Sequence, residues 1–301
     1  MLIEYTKRQS EKDRLFSILI PTWNNLEYLK LCIKSILKNS VYQHQIIVHI
    51  NDGSDGTLEW LQQEDIDYTH SSKNIGVCYA LNTARSLADT DYLVFVNDDM
   101  YLCPEWDRHL YAEIEQAGTK LFYLSGTSIE PVKTANSCCI APCDYGRNVE
   151  TFQEEKLLTE FSGLEHADWS GASWPPCVVH KEVWDLIGGY STEFSPGMYS
   201  DPDFSMKLYL AGVRIFKGVS KARAYHFMCR STNKVRKNNG RRTFLLKYGF
   251  TSRQFYTSVL QLGQPYAGCN IPQADDPLWH KLRRSGLVKK LLALFEKPYL
   301  N

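Results

Sequence analysis

The run Tyr92-Leu93-Val94-Phe95-Val96-Asn97-Asp98-Asp99-Met100 constrains this chain most. Mostly β-prone apolar residues lead straight into two adjacent carboxylates. A continuous apolar run bounded by polar residues reads as a strand buried on both faces, the habit of parallel sheets. Acids at the carboxyl end of such a strand sit where open α/β sheets bind ligands. Adjacent carboxylates repel unless something positive neutralises them. A hard divalent cation, its oxygen shell completed by phosphates, answers that need. An acidic turn or helix cap explains the same residues when they are taken alone.

The flanking sequence supplies an alternation. Residues 16–20 form a short strand that Pro21 stops, and Thr22-Trp23-Asn24-Asn25 makes the turn. Asn24 or Asn25 caps the next helix, which carries Leu26, Leu29, Ile33, Ile36 and Leu37 at helical spacing. A strand over 45–50 ends in Asn51-Asp52-Gly53-Ser54-Asp55-Gly56-Thr57, a turn tolerant of positive φ. A short helix and a weak strand near Asp67-Tyr68-Thr69 follow. Asn74-Ile75-Gly76 then starts a helix to about Leu87. Strand–helix alternation at these intervals predicts an α/β fold with a parallel sheet covered on both faces. Three strand ends would meet along one edge and form a ligand crevice.

The second half is less regular. Pro104 suits the first turn of a helix carrying Trp106, Leu110 and Ile114. Residues 121–125 read as a strand. Residues 130–172 show no clear period and read as irregular, partly mobile loops. Trp174 to Val179 returns to the core. Lys181–Ile187 is a short helix stopped by Gly188-Gly189. Ser200-Asp201-Pro202-Asp203-Phe204 leads a helix to about Leu210, and residues 213–216 and 222–226 read as two strands. From Arg230 the chain turns basic and helical.

Composition sets bounds. A chain of 301 residues can bury a large core. With 34 basic and 34 acidic residues, nothing global points to nucleic acid. Nine cysteines show no paired spacing, and Cys138, Cys139 and Cys143 lack the partners of a zinc site. Free thiols in a reducing cytoplasm are the expectation. The first residues turn charged at once, which argues against a signal peptide. No apolar run has the length of a membrane span.

The order Ile20-Pro21-Thr22-Trp23-Asn24, Asn51-Asp52-Gly53-Ser54, Asn74-Ile75-Gly76, Asn97-Asp98-Asp99, then Gly188-Gly189-Tyr190 and Asp201-Pro202-Asp203 resembles glycosyltransferase family 2. Each motif alone is weak, but together and in order they are specific. The resemblance covers roughly residues 15–230. It implies a GT-A fold: a Rossmann-like, mostly parallel central sheet with helices on both faces. The domains expected from it are a polar lead-in over 1–14 and a catalytic domain over 15–230. That domain divides into a nucleotide-binding half to about 100 and an acceptor half beyond. A basic, mainly helical extension follows over 231–301.

The same resemblance implies roles. Pro21, Thr22, Trp23, Asn24, Asn74 and Gly76 fall among the donor-binding motifs. Asp52 matches the acid on the uracil edge in UDP-sugar members, and a carboxylate can accept the ring N–H. Trp23 is placed to stack on the base, though core packing suits it nearly as well. Asp98 would contact ribose or metal-bound water, and Asp99 would ligate Mn²⁺ or Mg²⁺. His226 would be a further metal ligand or diphosphate contact, with a buried structural histidine as the rival reading. Asp201 matches the general base of inverting members. Asp203 would orient substrate or cap its helix, and Trp174 would border the acceptor.

The implied reaction is metal-dependent, inverting transfer of one sugar from a nucleotide-sugar, UDP-linked, to a hydroxyl of a glycan or lipid-linked acceptor. The acceptor hydroxyl must lose a proton as it attacks, and a cation can stabilise the departing diphosphate. Two departures stand out: Asn51 where the family often has Asp, and Ser200 where it often has Glu. The processive Gln-x-x-Arg-Trp pattern is absent, which argues for a single addition. Gly53-Ser54-Asp55-Gly56 lacks a dinucleotide fingerprint, which disfavours an oxidoreductase. An inactive nucleotide-sugar or glycan binder is the non-enzymatic alternative. Leu287, Leu291, Leu294 and Phe295 with Lys289, Lys290 and Lys297 form an amphipathic basic segment. It could touch the inner face of a membrane or pack as a terminal helix.

Overall fold

The computed structural model describes residues 2–8, 13–229, 237–268 and 271–299. The expected boundary near residue 230 therefore lies outside the described residues. Chain order begins β1 (Ile3–Thr6), β2 (Phe16–Trp23), α1 (Leu26–Asn39), β3 (His44–Asn51), α2 (Thr57–Gln63), β4 (Asp67–Ser71), α3 (Gly76–Arg85) and β5 (Tyr92–Phe95). It continues with β6 (Met100–Leu102), α4 (Trp106–Ala117), β7 (Phe122–Ile129), β8 (Cys139–Ile140), α5 (Glu154–Glu160), β9 (Trp169–Ser170), β10 (Cys177–His180), α6 (Lys181–Ile187) and α7 (Ser200–Leu210). The last elements are β11 (Ile215–His226), α8 (Gly240–Tyr248), the short α9 (Ser252–Gln254) and α10 (Leu278–Ala293).

One sheet runs β1-β4-β3-β2-β5-β10-β7-β11-β6. Strands β4, β3, β2 and β5 are parallel, as the alternation predicted. β10 lies antiparallel to both its neighbours, β5 and β7, while β11 is parallel to β7. Alternate residues of the parallel strands feed two cores. Ile18, Ile20, Val48 and Val94 face α1 and α4, while Leu19, Ile47, Leu93 and Phe95 face α3, α6 and α7. This is the two-sided burial that the apolar run implied.

Several expectations need correction. Pro21 does not end its strand, and β2 runs on to Trp23. The Leu19 carbonyl accepts from Val96 N–H at 3.1 Å on the β5 side. Two residues on, Pro21 faces the same side, where β5 has ended, so its missing N–H costs no ladder bond. The lead-in is not all irregular, because Ile3–Thr6 pairs with β4 as an edge strand. Asn25 is the helix N-cap residue, but its side chain makes no capping bond; the Asp55 carboxylate accepts from Leu26 N–H at 2.9 Å instead. Leu37 is exposed.

The two strands expected over 213–226 are one strand, β11, whose register shifts between Val219 and Arg223. A bulge breaks the apolar pattern without breaking the strand. Residues 130–172 are more ordered than their sequence suggested. Tyr145, Phe152 and Leu157 close over Tyr101, Tyr225 and Phe227 in a third core. Cys138 and Cys139 are buried thiols, pushed up to about 12 by burial.

The C-terminal helices are bound to the sheet domain by a buried ion pair. Asp203 on α7 accepts from Lys247 Nζ and Tyr248 hydroxyl on α8, each at 2.7 Å. Asp203 is fully buried, and Lys247 also reaches Glu193 at 2.7 Å. Burial works against the Lys247 charge, yet Asp203 and Glu193 hold its pKa above the ordinary lysine value. Removing Asp203 leaves Lys247 paired with Glu193 but takes a buried acceptor from both Lys247 and the Tyr248 hydroxyl. Asp203→Ala should therefore lower the unfolding free energy by about 1–3 kcal/mol in denaturant melts. An unchanged midpoint would refute the clamp.

Candidate active site

At the carboxyl edge of β2, β3 and β5 lies a cleft of about 490 Å³. Pro21, Thr22 and Trp23 line it from the end of β2. Asn74 and Gly76 line it from the start of α3, and Asp98 and Asp99 from the turn after β5. Trp174 enters from the segment before β10, Asp201 from the first turn of α7, and His226 from the end of β11. These expected residues therefore share one cavity.

Three others stand outside it. Asn24 and Asp52 occupy positive φ and bond to each other, Asn24 Nδ2 donating to Asp52 Oδ2 at 3.1 Å. Asn24 Oδ1 also accepts from Gly53 N–H at 3.0 Å, so this pair builds the rim turn. Asp203 points away from the cleft into the α8 clamp.

The adjacent acids differ in environment. Asp98 Oδ2 accepts from the Thr22 hydroxyl at 2.7 Å. Burial and then the Asp99 charge push its pKa up to about 7. Asp99 Oδ2 accepts from Cys229 N–H at 2.7 Å, and Oδ1 stands 3.5 Å from His226 Nε2. His226 Nδ1 in turn meets Glu130 Oε1 at 3.4 Å. Burial disfavours the imidazolium, but Asp99 and then Glu130 outweigh it and raise His226 to about 10. Asp99 is held below the usual carboxylate range although burial pushes the other way. The positive neighbour that two acids require is thus His226.

Glu130 escaped the sequence reading because it begins the stretch without a period. The β7–β11 register explains it: Ile129 pairs with Tyr225, which sets Glu130 beside His226.

Among the described residues, no three His, Cys, Asp or Glu groups converge as a ready metal cluster. Asp99 and His226 still suit a divalent ion as a partial set. Both face the cleft, with His226 Nε2 and Asp99 Oδ1 3.5 Å apart; the imidazolium would have to give up its proton for the ion to take its place, and the oxygens of a diphosphate would complete the shell.

Asp201 is different again. Among the described residues no donor is bonded to its carboxylate, and burial alone lifts it to about 7. A carboxylate with that pKa can take a proton near neutral pH.

Two residues hold the edge together. Asn51 Nδ2 donates to the Thr22 carbonyl at 3.2 Å while its Oδ1 accepts from Ile75 N–H at 2.8 Å. It fastens the end of β2 to the start of α3, and only an amide can do both. Gly76 has φ +80, and a Cβ there would lie 2.6 Å from Pro196 Cα. The loop before α7 thus packs directly on the backbone of Gly76.

The fold is the GT-A fold. The sequence model of glycosyl transferase family 2 matches residues 17–159. The chain is 28% identical over 229 residues to glycosyltransferase GlyG of Streptococcus pneumoniae serotype 4, covering 67% of each. It is 26% identical over 213 residues to a chondroitin synthase of Pasteurella multocida, covering 69% of this chain and 20% of that one. The crystal structure of S. aureus TarS 1–349 in complex with UDP shares the fold, at a TM-score of 0.51 and 17% identity. The match covers 70% of this chain and 60% of that one. The chain spans between 20% and 67% of the length of the curated relatives named here; of two others it spans 23% and 32%. Residues 17–159 belong to glycosyl transferase family 2.

Asn51→Asp should remove the bond to the Thr22 carbonyl and set a carboxylate against it. We expect about 1–3 kcal/mol of lost stability, read from thermal unfolding, together with weaker nucleotide binding. Retention of both would show that the amide bridge is dispensable.

Proposed function

We propose that this chain is a metal-dependent, inverting hexosyltransferase. It moves one sugar from a nucleoside-diphosphate donor, UDP-linked, to a hydroxyl of a glycan or lipid-linked acceptor in polysaccharide or glycoconjugate synthesis. The observation that carries this reading is the sharing of one cleft by two unlike acidic sites. Asp98 and Asp99 with His226 form a charge-compensated site, and Asp201 is a free carboxylate with a pKa near 7. The UDP complex of the TarS fragment supports the choice of UDP.

Trp23 offers its ring to the base, and Asn74 and the Gly76 backbone border the sugar–phosphate path. Asp52, at the rim turn, is the acceptor for the ring N–H of uracil. Asp98 meets the ribose. Mn²⁺ or Mg²⁺ bound by Asp99 and His226 would stabilise charge on the departing diphosphate. Asp201 accepts the proton of the attacking hydroxyl. Trp174 borders the acceptor, while Asp203 only positions α7. Inversion fits a single carboxylate acting as base, with no covalent nucleophile required.

Among the described residues no helix is long and apolar enough to cross a membrane. The proposed setting is cytoplasmic, at the inner face of a membrane. An inactive nucleotide-sugar binder is the rival. Titration calorimetry with UDP, with and without Mn²⁺, followed by a UDP-release assay, separates the two.

Asp99→Ala should abolish the Mn²⁺-dependent part of UDP binding while the protein stays folded. Unaltered metal dependence would remove Asp99 from the site. Asp201→Asn should cut turnover roughly 10²–10⁴-fold with donor binding intact. In the parent, Asp201 holds its proton below pH 7 and cannot act as base. Turnover should fall about tenfold per pH unit below the midpoint and level off above it. A flat kcat profile between pH 6 and 8 would assign the base elsewhere.

A further inference from the structure

α10 has two unlike sides. It packs against the body of the molecule through Trp279, Leu282, Gly286 and Ala293, all buried. The approach at Gly286 is close: a Cβ there would lie 2.0 Å from the Gly249 carbonyl oxygen. These four residues share one helical face. On the remaining surface the first turns expose His280, Lys281 and Arg284. The last turns expose Leu287, Val288, Leu291, Leu292 and Leu294 by 56–67%, and Phe295 by 89%. Lys289 is exposed beside them and Lys290 half-buried. No acid occurs between residues 278 and 295. A single exposed leucine needs no explanation, but a contiguous patch of this size does.

We propose that this face docks on an anionic lipid surface. The apolar tip enters the boundary between headgroups and acyl chains, and the basic residues around it meet lipid phosphates. Charge selects this occupant. Pairing with a second copy would set Lys281, Arg283, Arg284, Lys289 and Lys290 against the same five residues, with no acid between them.

The tail after the docked helix runs beside the active site. Beyond α10, Glu296, Lys297 and Tyr299 line a cavity of about 520 Å³ together with Met198 and Tyr199. Met198 lines the catalytic cleft too, and Tyr199 is two residues from Asp201. Arg241 holds Glu296 at 2.6 Å, and Asn239 Nδ2 donates to the Lys297 carbonyl at 3.0 Å. Resting on the transferase reading, this makes the acceptor a saccharide carried on a lipid, entering along that cavity.

The test is co-sedimentation of the full chain with phosphatidylcholine vesicles, pure or with roughly three parts in ten phosphatidylglycerol. We expect pelleting with the anionic vesicles only, weakened by salt. The double substitution Leu291→Glu with Phe295→Glu should abolish it. Lys281→Gln and Arg284→Gln should each lower partitioning roughly fivefold. Equal recovery on both vesicle types, or pelleting unchanged by the double substitution, overturns the proposal. So does a dimer in sedimentation velocity that the same substitution splits, because a second copy then covers the face. UDP titration of every variant without vesicles checks the fold. Docking without UDP binding would keep the membrane role and remove the transferase reading.

Discussion

Asp99, His226 and Glu130 form a line of alternating charge across the edge of the sheet. Asp99 follows β5, His226 ends β11 and Glu130 follows β7. The line therefore ties the parallel half of the sheet to its mixed half at the point where ligand would sit. Without the imidazolium, the buried carboxylates of Asp99 and Glu130 would face each other, and repulsion would drive a proton onto one of them. With it, Asp99 is ionised at the ligand edge before any metal or diphosphate arrives. The site is assembled in advance, which lowers what donor binding must reorganise.

Much of this was legible in the sequence. An apolar run ending in paired acids reads as a buried strand opening on polar chemistry, and β5 is that strand. The expected helices α1, α3, α6 and α7 follow from periodicity and glycine stops, which are local signals. What escaped depends on partners distant in sequence. Pro21 reads as a breaker unless one knows that β5 stops short of it. The bulge in β11 hides the continuity of a strand whose register only β7 reveals. Glu130 has no motif around it and gains its role from a parallel pairing. Asp203 looks like the twin of Asp201, yet one residue turns inward to α8 and the other to the cleft. A helix carries side chains two positions apart to different faces, so sequence adjacency could not distinguish them.

The four acids near the edge show how environment divides labour among identical carboxyls. Asp98 and Asp201 are pushed up to about 7, the first by burial and a like charge, the second by burial alone. Asp99 is drawn down by His226. Asp203 is fully buried and neutralised by Lys247. Desolvation is common to Asp98, Asp99 and Asp201, and the neighbours decide which of them stays charged.

The reversed direction of β10 has a consequence for how such a chain can change. β7 leaves the sheet at its ligand edge, and β10, running the other way, re-enters at that same edge. The segment from Glu130 to Pro176, which carries β8, α5 and β9, thus has its two ends side by side. Lengthening a closed loop costs only logarithmically. Insertions in its turns can lengthen this segment without moving a strand that carries Asp98, Asp99 or His226, as long as Glu130 and the pairing of β9 with β11 are kept. Trp174 reaches the cleft from this segment, so the wall that would meet an acceptor can vary while the wall of acids stays fixed.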